Sequence, residues 1–308
     1  MDSGVDKISY CIVDWGSSNF RIFLMDHNDK LLAKKESEMG LLKIEGKDFP
    51  TALESVLKLW VPCYQQVPIF MAGMVGSFNG WHNVDYVETP VDKTKLANGC
   101  FKFNLPWLAT AAIIPGILHT AHEQNYNDVM RGEEVQVFGL MDKCNRNSFK
   151  AILPGTHSKH VSVINNEICS LSSFMTGELF AVISQHTILG KKLPDQVFNE
   201  HSFRLGVAEG VTNQLTHVLF RARTHMLFNT INPEHVESYL SGLLIGNELQ
   251  AVSKDFLFIV GNESLCRRYL IACKVLGIKA EHVSGDECFL LGMIKLKNFK
   301  LPTSISFS

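Results

Sequence analysis

The sequence predicts an α/β protein that is built from two similar halves. Strand-like and helix-like segments alternate along the chain, hairpins followed by helices occur twice, and each such run begins with a hairpin centred on a glycine. The 308 residues exceed the size of a typical domain of about 100–150 residues. We expect one domain at residues 1–115 and another at residues 116–308. Because no Gly/Ser-rich or Pro-rich linker separates them, we expect them to pack around a cleft.

The composition excludes several classes of partner. Hydrophobic residues make up 46% of the chain, charged residues make up 19%, and the formal net charge is −2. This balance is typical of a globular protein without the basic surface that non-specific nucleic-acid binding needs. A membrane span requires about 18 consecutive apolar residues, and the sequence contains no such stretch. Its start does not resemble a signal peptide. We therefore expect a cytoplasmic protein that binds neither nucleic acid nor membrane.

The first glycine-centred hairpin joins two apolar strands, which are predicted at Tyr10–Asp14 and Phe20–Met25. Small and polar residues form its tip: Gly16, Ser17, Ser18 and Asn19. Such a tip leaves backbone N–H groups and hydroxyls open to a phosphate.

Two charged side chains accompany this hairpin. Asp14 ends an apolar strand, where a carboxylate needs a partner. That partner is either a divalent cation that also binds phosphate oxygens, or the hairpin backbone through an Asx turn. Arg21 follows the tip and either contacts a phosphate or an acidic ligand, or forms a surface ion pair.

The second glycine-centred hairpin spans residues 152–163 and aligns with the first one at Gly155. Its tip consists of Gly155, Thr156, His157, Ser158 and Lys159. The spacing is not that of a Walker A loop, although Lys159 has the charge to contact a phosphate. Side chains such as His157 and His160 are more often solvated or hydrogen-bonded than metal ligands. Two such hairpins, one in each half, predict two lobes that grip one polyphosphate.

A glycine-rich loop follows the parallel strand that is predicted at Val67–Met71. Loops at the carboxyl ends of strands are where α/β sheets bind ligands. A glycine permits close approach, a hydroxyl can bond a sugar, and Trp81 either stacks on a sugar ring or belongs to the core. The loop therefore provides four candidates for sugar binding: Gly73, Met74, Ser77 and Trp81.

The densest polar cluster follows the strand predicted at Ala111–Pro115. We expect a polar loop from Gly116 to about Asn127 and a helix at Val129–Met141, with Asp128 as a helix cap. The cluster contains Arg131, Glu133 and Glu134. An acid there either favours the helix N-terminus or acts as a general base, and the arginine is suited to an anionic substrate.

Apolar periodicity and glycine punctuation predict the remaining elements. Helices are expected near residues 49–60, 174–189, 207–227, 236–253 and 265–276, and from residue 288 onwards. Strands are expected at residues 256–260 and 280–283, with a loop at 284–287. The strand at 256–260 runs into a polar loop that begins with Gly261 and Asn262.

Six short segments, in their order along nearly the whole chain, resemble the 2-dehydro-3-deoxygalactonokinases, sugar-acid kinases of the actin/hexokinase/Hsp70-like superfamily. They are Asp14–Arg21, Met71–Ser77, Val129–Glu134, Pro154–Lys159, Met175–Leu179 and Ser241–Gly246. The resemblance implies two ribonuclease-H-like domains around a central ATP cleft. It also implies that ATP, with Mg²⁺, phosphorylates 2-dehydro-3-deoxy-D-galactonate at its 6-hydroxyl, in D-galactonate catabolism.

The same resemblance implies how the nucleotide is bound. Gly16–Asn19 is similar to the first phosphate hairpin of the family, Gly155–Lys159 to the second, and Gly261 with Asn262 to its adenosine loop. His160 stands where the family has a tryptophan.

The resemblance also implies how the reaction is catalysed. Asp14 would organise Mg²⁺ through water. The catalytic base is expected at Glu133, with Glu134 and Asp14 as alternatives. Candidates for binding the sugar acid are Arg21, Gly73, Met74, Ser77, Trp81 and Arg131.

Other functions stay open at this point. One is a kinase for another 2-keto-3-deoxy sugar acid, such as the gluconate epimer. Another is a nucleotide-driven conformational ATPase of the actin or Hsp70 type, which shares the hairpins but needs no sugar-binding loop. A ribonuclease-H-like nuclease is disfavoured by the net charge of −2, and a silent sugar-acid sensor by the intact hairpins. The oligomeric state is open, with a homodimer as one alternative.

Overall fold

The structure is a computed structural model that describes residues 8–121, 123, 125–212 and 214–297. The chain forms two compact units. The first comprises Met1–Ser148, Val163–Leu171 and Asp286–Ser308, and the second comprises Phe149–Ser162 and Ser172–Gly285. The domain limits 1–115 and 116–308 stay a prediction, because a compact unit and a domain need not end at the same residue.

The strands are named in chain order. They are β1 (Tyr10–Trp15), β2 (Phe20–Met25), β3 (Leu31–Ser37), β4 (Ile69–Ala72), β5 (Val87–Glu88), β6 (Phe101–Asn104), β7 (Thr110–Ile113), β8 (Ile117–Ala121), β9 (Tyr126–Met130), β10 (Phe149–Leu153), β11 (Ser158–Ile164), β12 (Glu167–Phe174), β13 (Leu257–Gly261) and β14 (Ala280–Ser284).

The helices are named in the same way. They are α1 (Phe49–Trp60), α2 (Lys93–Asn98), α3 (Glu133–Cys144), α4 (Thr176–His186), α5 (Glu200–Gly210), α6 (Leu215–Leu219), α7 (Arg221–Leu227), α8 (Val236–Leu249), α9 (Glu263–Leu276) and α10 (Gly285–Lys297). None of the helices in the described part of the chain combines the length and the apolar composition that crossing a membrane requires.

The two large sheets repeat one strand arrangement. The first sheet has the order β3-β2-β1-β4-β7-β6, and the second has the order β12-β11-β10-β13-β14. In the first sheet β4 pairs in parallel with β1 and β7, and in the second β13 pairs in parallel with β10 and β14. The predicted α/β fold with a repeated unit is therefore confirmed. A small third sheet has the order β5-β8-β9.

Local sequence explains where the main elements of the first unit form. The apolar runs of β1 and β4 are almost wholly buried, as expected for strands in the middle of a sheet with parallel pairs. Helix α1 begins where the Asp48 side chain accepts a hydrogen bond from the N–H of Thr51. Its Leu53 and Leu57 then pack in the core that contains Trp15 and Phe49.

The structure corrects the prediction for residues 116–141. The expected polar loop contains β8 and the first two residues of β9, and the expected helix covers the last two residues of β9. The two strands pair in antiparallel fashion, with Thr120 opposite Asn127. Asp128 is therefore not a helix cap, and the helix begins only at Glu133. The prediction was wrong because β9 is mostly exposed. Polar side chains on an exposed strand carry little free-energy penalty, and their sequence then resembles that of a loop.

Candidate functional site

The first hairpin has the tip that the sequence predicts. Gly16 donates its N–H to the carbonyl oxygen of Asn19 at 2.9 Å, which closes the turn between β1 and β2. Ser17, Ser18 and Asn19 are exposed, whereas Trp15 and Phe20 on either side are buried. The small polar residues therefore stand at the end of a rigid, well-packed pair of strands.

A second segment of the chain supports this tip from behind. The N–H groups of Gly40, Leu41 and Leu42 donate to the carbonyl oxygens of Ser18, Gly16 and Ser17 at 3.1, 3.0 and 3.2 Å, respectively. A Cβ atom on Gly40 would lie 2.3 Å from the Ser17 oxygen, so only glycine allows this approach. The tip carbonyls are thus used internally. The sequence analysis did not identify Gly40, although a glycine shortly after the polar run 34–38 is the local signal that marks it.

Asp14 and Arg21 face each other across the hairpin and form an ion pair. The Arg21 Nε donates to Asp14 Oδ2 at 3.0 Å, and its Nη1 donates to Asp286 at the start of α10. The Lys34 Nζ donates to the other carboxylate oxygen of Asp286, Oδ2, at 2.7 Å. Burial raises the pKa of the Asp14 carboxyl, and the Arg21 guanidinium opposes that shift. Arg21 therefore forms an ion pair, one of the two alternatives given for it in the sequence analysis. A role of Arg21 in substrate binding stays a prediction.

Three predicted segments meet beside Asp14 within the first unit. A Cβ atom on Gly73 would lie 3.3 Å from Asp14 Oδ1, and one on Gly132 would lie 3.2 Å from the Cα of Gly73. Gly132 has a φ of +109°, a backbone conformation that favours glycine. The end of β1, the end of β4 and the start of α3 are thus packed together. The first two residues of α3, Glu133 and Glu134, follow Gly132 directly.

The two glutamates at the start of α3 differ in exposure. Glu134 is 0% exposed, and its Oε2 accepts the N–H of Gly132 at 2.7 Å, while Oε1 has no partner among the described residues. Burial and the negative charge of Glu133 raise the pKa of Glu134 to about 8. Glu133 is only half-buried, and its Oε2 accepts the N–H of Arg131 at 3.1 Å.

Arg131 and Ser77, two further candidates for sugar binding, have different surroundings. Arg131 is 8% exposed, donates from Nη2 to the Val84 carbonyl at 2.7 Å, and lies over the Tyr86 ring at 4.3 Å. Ser77 donates its hydroxyl to the carbonyl of Met74 at 2.7 Å. All of these roles in sugar binding stay predictions.

Trp81 packs among aromatic side chains of the first unit. Its ring stacks on Phe49 at 6.3 Å and contacts Trp15 and Phe103 edge-on at 6.5 and 5.3 Å. This environment favours a role in packing, and stacking of Trp81 on a sugar stays a prediction.

The second hairpin divides into an exposed tip and a buried base. Thr156 and His157 are exposed, and His157 contacts Glu178 of α4. Ser158 is 0% exposed and donates its hydroxyl to Glu248 at 2.7 Å, and Lys159 is 7% exposed and donates to Ser173 at 2.6 Å. The predicted nucleotide contacts of Ser158 and Lys159 stay predictions, and the observed bonds give both side chains a supporting role behind the tip.

The predicted adenosine loop lies at the rim of a pocket. The Asn262 side chain accepts the N–H of Ser264 at 2.9 Å and caps α9, which ends at Gly277 as predicted. The pocket measures about 520 Å³ and is lined by Phe198, Asn262, Glu263, Ser264, Arg267, Arg268 and Ile271. This volume falls in the range of about 300–1,000 Å³ that is usual for small-molecule sites.

A magnesium ion fits the donors near Asp14 only in part. The described residues contain no group of three or more His, Cys, Asp or Glu side chains that could hold a metal ion. Mg²⁺ commonly keeps several waters and binds one or two carboxylates together with substrate phosphates. Asp14 is such a carboxylate, because its side chain is 20% exposed and Arg21 occupies only Oδ2.

The chain is similar to known proteins over nearly its whole length. A protein-family model described as 2-keto-3-deoxy-galactonokinase matches residues 14–296. A 2-dehydro-3-deoxygalactonokinase of Escherichia coli (strain K12) is 32% identical over 92% of this chain and 96% of its own length. A Rhizobium meliloti (strain 1021) protein named DgoK1, a candidate for the same activity, is 31% identical over 92% of this chain and 95% of its own length.

One solved structure has a closely similar fold. It is a crystal structure of a candidate 2-dehydro-3-deoxygalactonokinase from Sinorhizobium meliloti, with a TM-score of 0.86 and 30% sequence identity. The alignment covers 95% of this chain and 100% of that chain.

Proposed function

The chain belongs to the 2-keto-3-deoxy-galactonokinase family and is a carbohydrate kinase, and we propose that it transfers the γ-phosphoryl group of ATP to the 6-hydroxyl of 2-dehydro-3-deoxy-D-galactonate. The named activity of the E. coli relative supports this substrate. A role in D-galactonate degradation and a cytoplasmic location are part of the same proposal. The alternative acceptor is another 2-keto-3-deoxy sugar acid.

One observation carries the proposal: Asp14, Gly73 and Gly132 are packed together in the first unit. A phosphoryl-transfer site needs a carboxylate near the phosphates, room for a substrate and a base near the attacking hydroxyl. Asp14 follows the buried part of β1, the loop after β4 is rich in glycine, and Gly132 is followed directly by two glutamates. This packing supports a site in which the three requirements are met together.

The hairpins supply the contacts to the phosphates in this proposal. In the first hairpin, Gly40–Leu42 occupies the tip carbonyls, so the hydroxyls of Ser17 and Ser18 and the open backbone face are available to a phosphate. In the second hairpin, the corresponding groups are those of Gly155–His157. Mg²⁺, organised by Asp14 through water, would neutralise charge on the transferring group. Arg21 would keep the Asp14 carboxylate oriented.

Glu133 is the favoured catalytic base. A base must reach the proton that it removes, and Glu133 is half-buried whereas Glu134 has no exposed surface. The Glu134 side chain instead holds the N–H of Gly132, so its proposed role is to position the turn that presents Glu133. This assignment keeps Asp14 for the metal ion.

Arg131 is the favoured partner for the carboxylate of the sugar acid. The Arg21 guanidinium is already shared by Asp14 and Asp286. By contrast, the Nε and Nη1 atoms of Arg131 are buried and have no partner among the described residues, so they are unsatisfied donors that an anionic group entering this place would pair. An arginine with spare donors suits an anionic substrate.

Replacing Gly16 or Gly155 with alanine should raise the KM for ATP about tenfold, since about 1.4 kcal/mol of binding is tenfold. A Cβ atom on Gly16 would lie 3.5 Å from the Asn19 oxygen, and one on Gly155 would lie 3.9 Å from the His157 oxygen. The protein itself can therefore accommodate both methyl groups, and the space that they remove is space for the ligand. Steady-state kinetics gives the KM. The free energy of unfolding, measured by urea denaturation, should change by less than about 1 kcal/mol.

Gly40→Ala is the matched control for this pair. Its methyl group would collide with the Ser17 and Ser18 backbone, so the free energy of unfolding should fall by about 1–3 kcal/mol. An unchanged KM for ATP in both Gly16→Ala and Gly155→Ala would contradict the phosphate-binding role of the tips.

The substrate is tested by coupled ADP-release assays on a panel of 2-keto-3-deoxy sugar acids and simple hexoses. We expect turnover with 2-dehydro-3-deoxy-D-galactonate, and NMR of the product should locate the phosphate on the 6-hydroxyl. Turnover of hexoses alone would reject the substrate. ATP hydrolysis that no sugar acid stimulates would favour the conformational ATPase instead.

A further inference from the structure

A fully buried carboxylate lies behind the second hairpin, and the mechanism above does not use it. Glu248 stands near the end of α8 and is 3% exposed. Four side chains direct hydrogen bonds to its two oxygens: Ser158 at 2.7 Å, His160 at 2.8 Å, Tyr269 at 2.8 Å and Thr176. These side chains belong to β11, α4 and α9, so one carboxylate ties three elements to α8.

Two of these elements begin beside the second hairpin, which the proposed function assigns to the nucleotide, and the third begins beside the loop that the family resemblance assigns to the adenosine. Strand β11 begins at Ser158, directly after the hairpin tip. Helix α4 begins at Thr176, and the N–H of Glu178 donates to the Thr156 carbonyl at 2.9 Å. A Cβ atom on Gly177 would lie only 2.3 Å from the Gly155 oxygen, so the start of α4 fits tightly against the tip.

Helix α9 completes this set of connections. It begins directly after Asn262 of the predicted adenosine loop, and its Tyr269 hydroxyl reaches Glu248. The same carboxylate therefore fixes the hairpin tip through two elements and the adenosine loop through the third.

The donors match the chemistry of a carboxylate. Two ionised oxygens offer about four acceptor sites, and four donors occupy them here. A buried charge is costly unless it is fully hydrogen-bonded, and well-packed apolar residues often stabilise a fold as well as buried polar groups do. A carboxylate that joins three elements is suited to fixing their relative positions.

We propose that Glu248 is a positioning residue for nucleotide binding, whose carboxylate holds the second hairpin, the start of α4 and helix α9 in the arrangement that accepts the phosphates and the nucleoside of ATP. The proposal rests on the nucleotide-binding role of the second hairpin. Glu248 itself is covered by its donors and does not contact the ligand. Its replacement should therefore weaken nucleotide binding selectively.

Glu248→Gln is the direct test, because it keeps the shape of the side chain and removes one of the two acceptor oxygens. Isothermal titration calorimetry should show ADP binding weakened about tenfold, the effect of losing about 1.4 kcal/mol. The KM for the sugar acid should stay within about twofold, because a hydrogen-bond loss confined to the second unit leaves the first unit unchanged.

The chain offers a matched control in Glu209 of α5. Its carboxylate also joins helices of the second unit, by accepting from Tyr239 at 2.8 Å, from Arg221 at 3.1 Å and from His225 at 3.2 Å. Glu209→Gln should lower the melting temperature, as followed by circular dichroism, and leave ADP binding unchanged. A purely structural role of Glu248 would give both variants the same unchanged affinity, which would overturn the proposal.

Two milder variants cover the case in which Glu248→Gln does not fold. Thr176→Val and Tyr269→Phe each remove one donor and keep the carboxylate. Each should weaken ADP binding about threefold, which is less than the effect expected for Glu248→Gln. Unchanged affinity in both would overturn the proposal. If the wild-type protein binds no ADP, the proposed function fails first, so the two failures are distinguishable.

Discussion

Replacing Glu133 with glutamine is expected to lower kcat by about 10²–10⁴-fold, the usual contribution of a general base. The half-buried carboxylate belongs to the first residue of α3, directly after Gly132, which lies against Gly73. Glutamine keeps the shape and removes the basic oxygen, so the KM for ATP should change little. Steady-state kinetics with the sugar acid that turns over fastest in the panel measures both constants.

Glu237→Gln is the control for the charge effect of a helix start. Glu237 also lies in the first turn of a helix, α8, within the second unit. Its replacement should leave kcat unchanged. An equal loss of kcat in both variants would indicate a general effect of helix charge and would reject Glu133 as the base.

Asp14→Asn separates the base from the metal-binding residue. If Asp14 organises Mg²⁺, its amide variant should need a higher Mg²⁺ concentration for half-maximal activity. Glu133→Gln should keep the wild-type Mg²⁺ dependence while kcat falls. The opposite pattern would exchange the two roles.

Glu134→Gln is expected to remove much of the pH dependence of stability in the first unit. Burial and the charge of Glu133 raise the pKa of Glu134 to about 8 in the folded protein, whereas an unfolded glutamate has a pKa of about 4.3. The native state therefore binds a proton more tightly than the unfolded state does. This contribution to stability is complete below about pH 4.3 and is lost as the pH rises through about 8, at up to about 1.4 kcal/mol per pH unit.

Tryptophan fluorescence measures this effect selectively. The four tryptophans, Trp15, Trp60, Trp81 and Trp107, all belong to the first unit, which also contains Glu134. Urea unfolding of the wild type should become easier between pH 5 and pH 8.5, by several kcal/mol in total, and Glu134→Gln should show a much flatter profile. Glu88→Gln, at an exposed position of the same unit, should keep the wild-type slope. Parallel profiles of wild type and Glu134→Gln would contradict the buried, protonated state of Glu134.

Much of the fold could be predicted because its signals are local. The apolar runs of β1 and β4, the Asp48 and Asn262 caps and the glycine after α9 each depend on a few neighbouring residues. The prediction failed for β8, which is buried at its ends and half-buried between them, and for β9, whose side chains are mostly exposed, because neither strand shows a clear alternation of apolar and polar residues. It also gave a loop at residues 284–287, where α10 already begins at Gly285.

The candidate site was predictable only in part, because only some of its contacts join residues that are near one another in the sequence. Motif order placed the hairpins, the loop at Gly73 and the acids at the start of α3. No local pattern pairs Arg21 with Asp286, since 265 positions separate them, or Glu248 with Ser158, which is 90 positions away.

The sequence by itself determined the family, the repeated α/β unit and the two glycine-centred hairpins, because strand periodicity, turn residues and motif order are written in consecutive residues. Only the tertiary structure decided which acid is accessible. Glu133 and Glu134 are neighbours of the same type, and the packing of α3 buries one and leaves the other half-exposed. Burial, and with it the pKa of a carboxyl, depends on what the rest of the chain brings to that place.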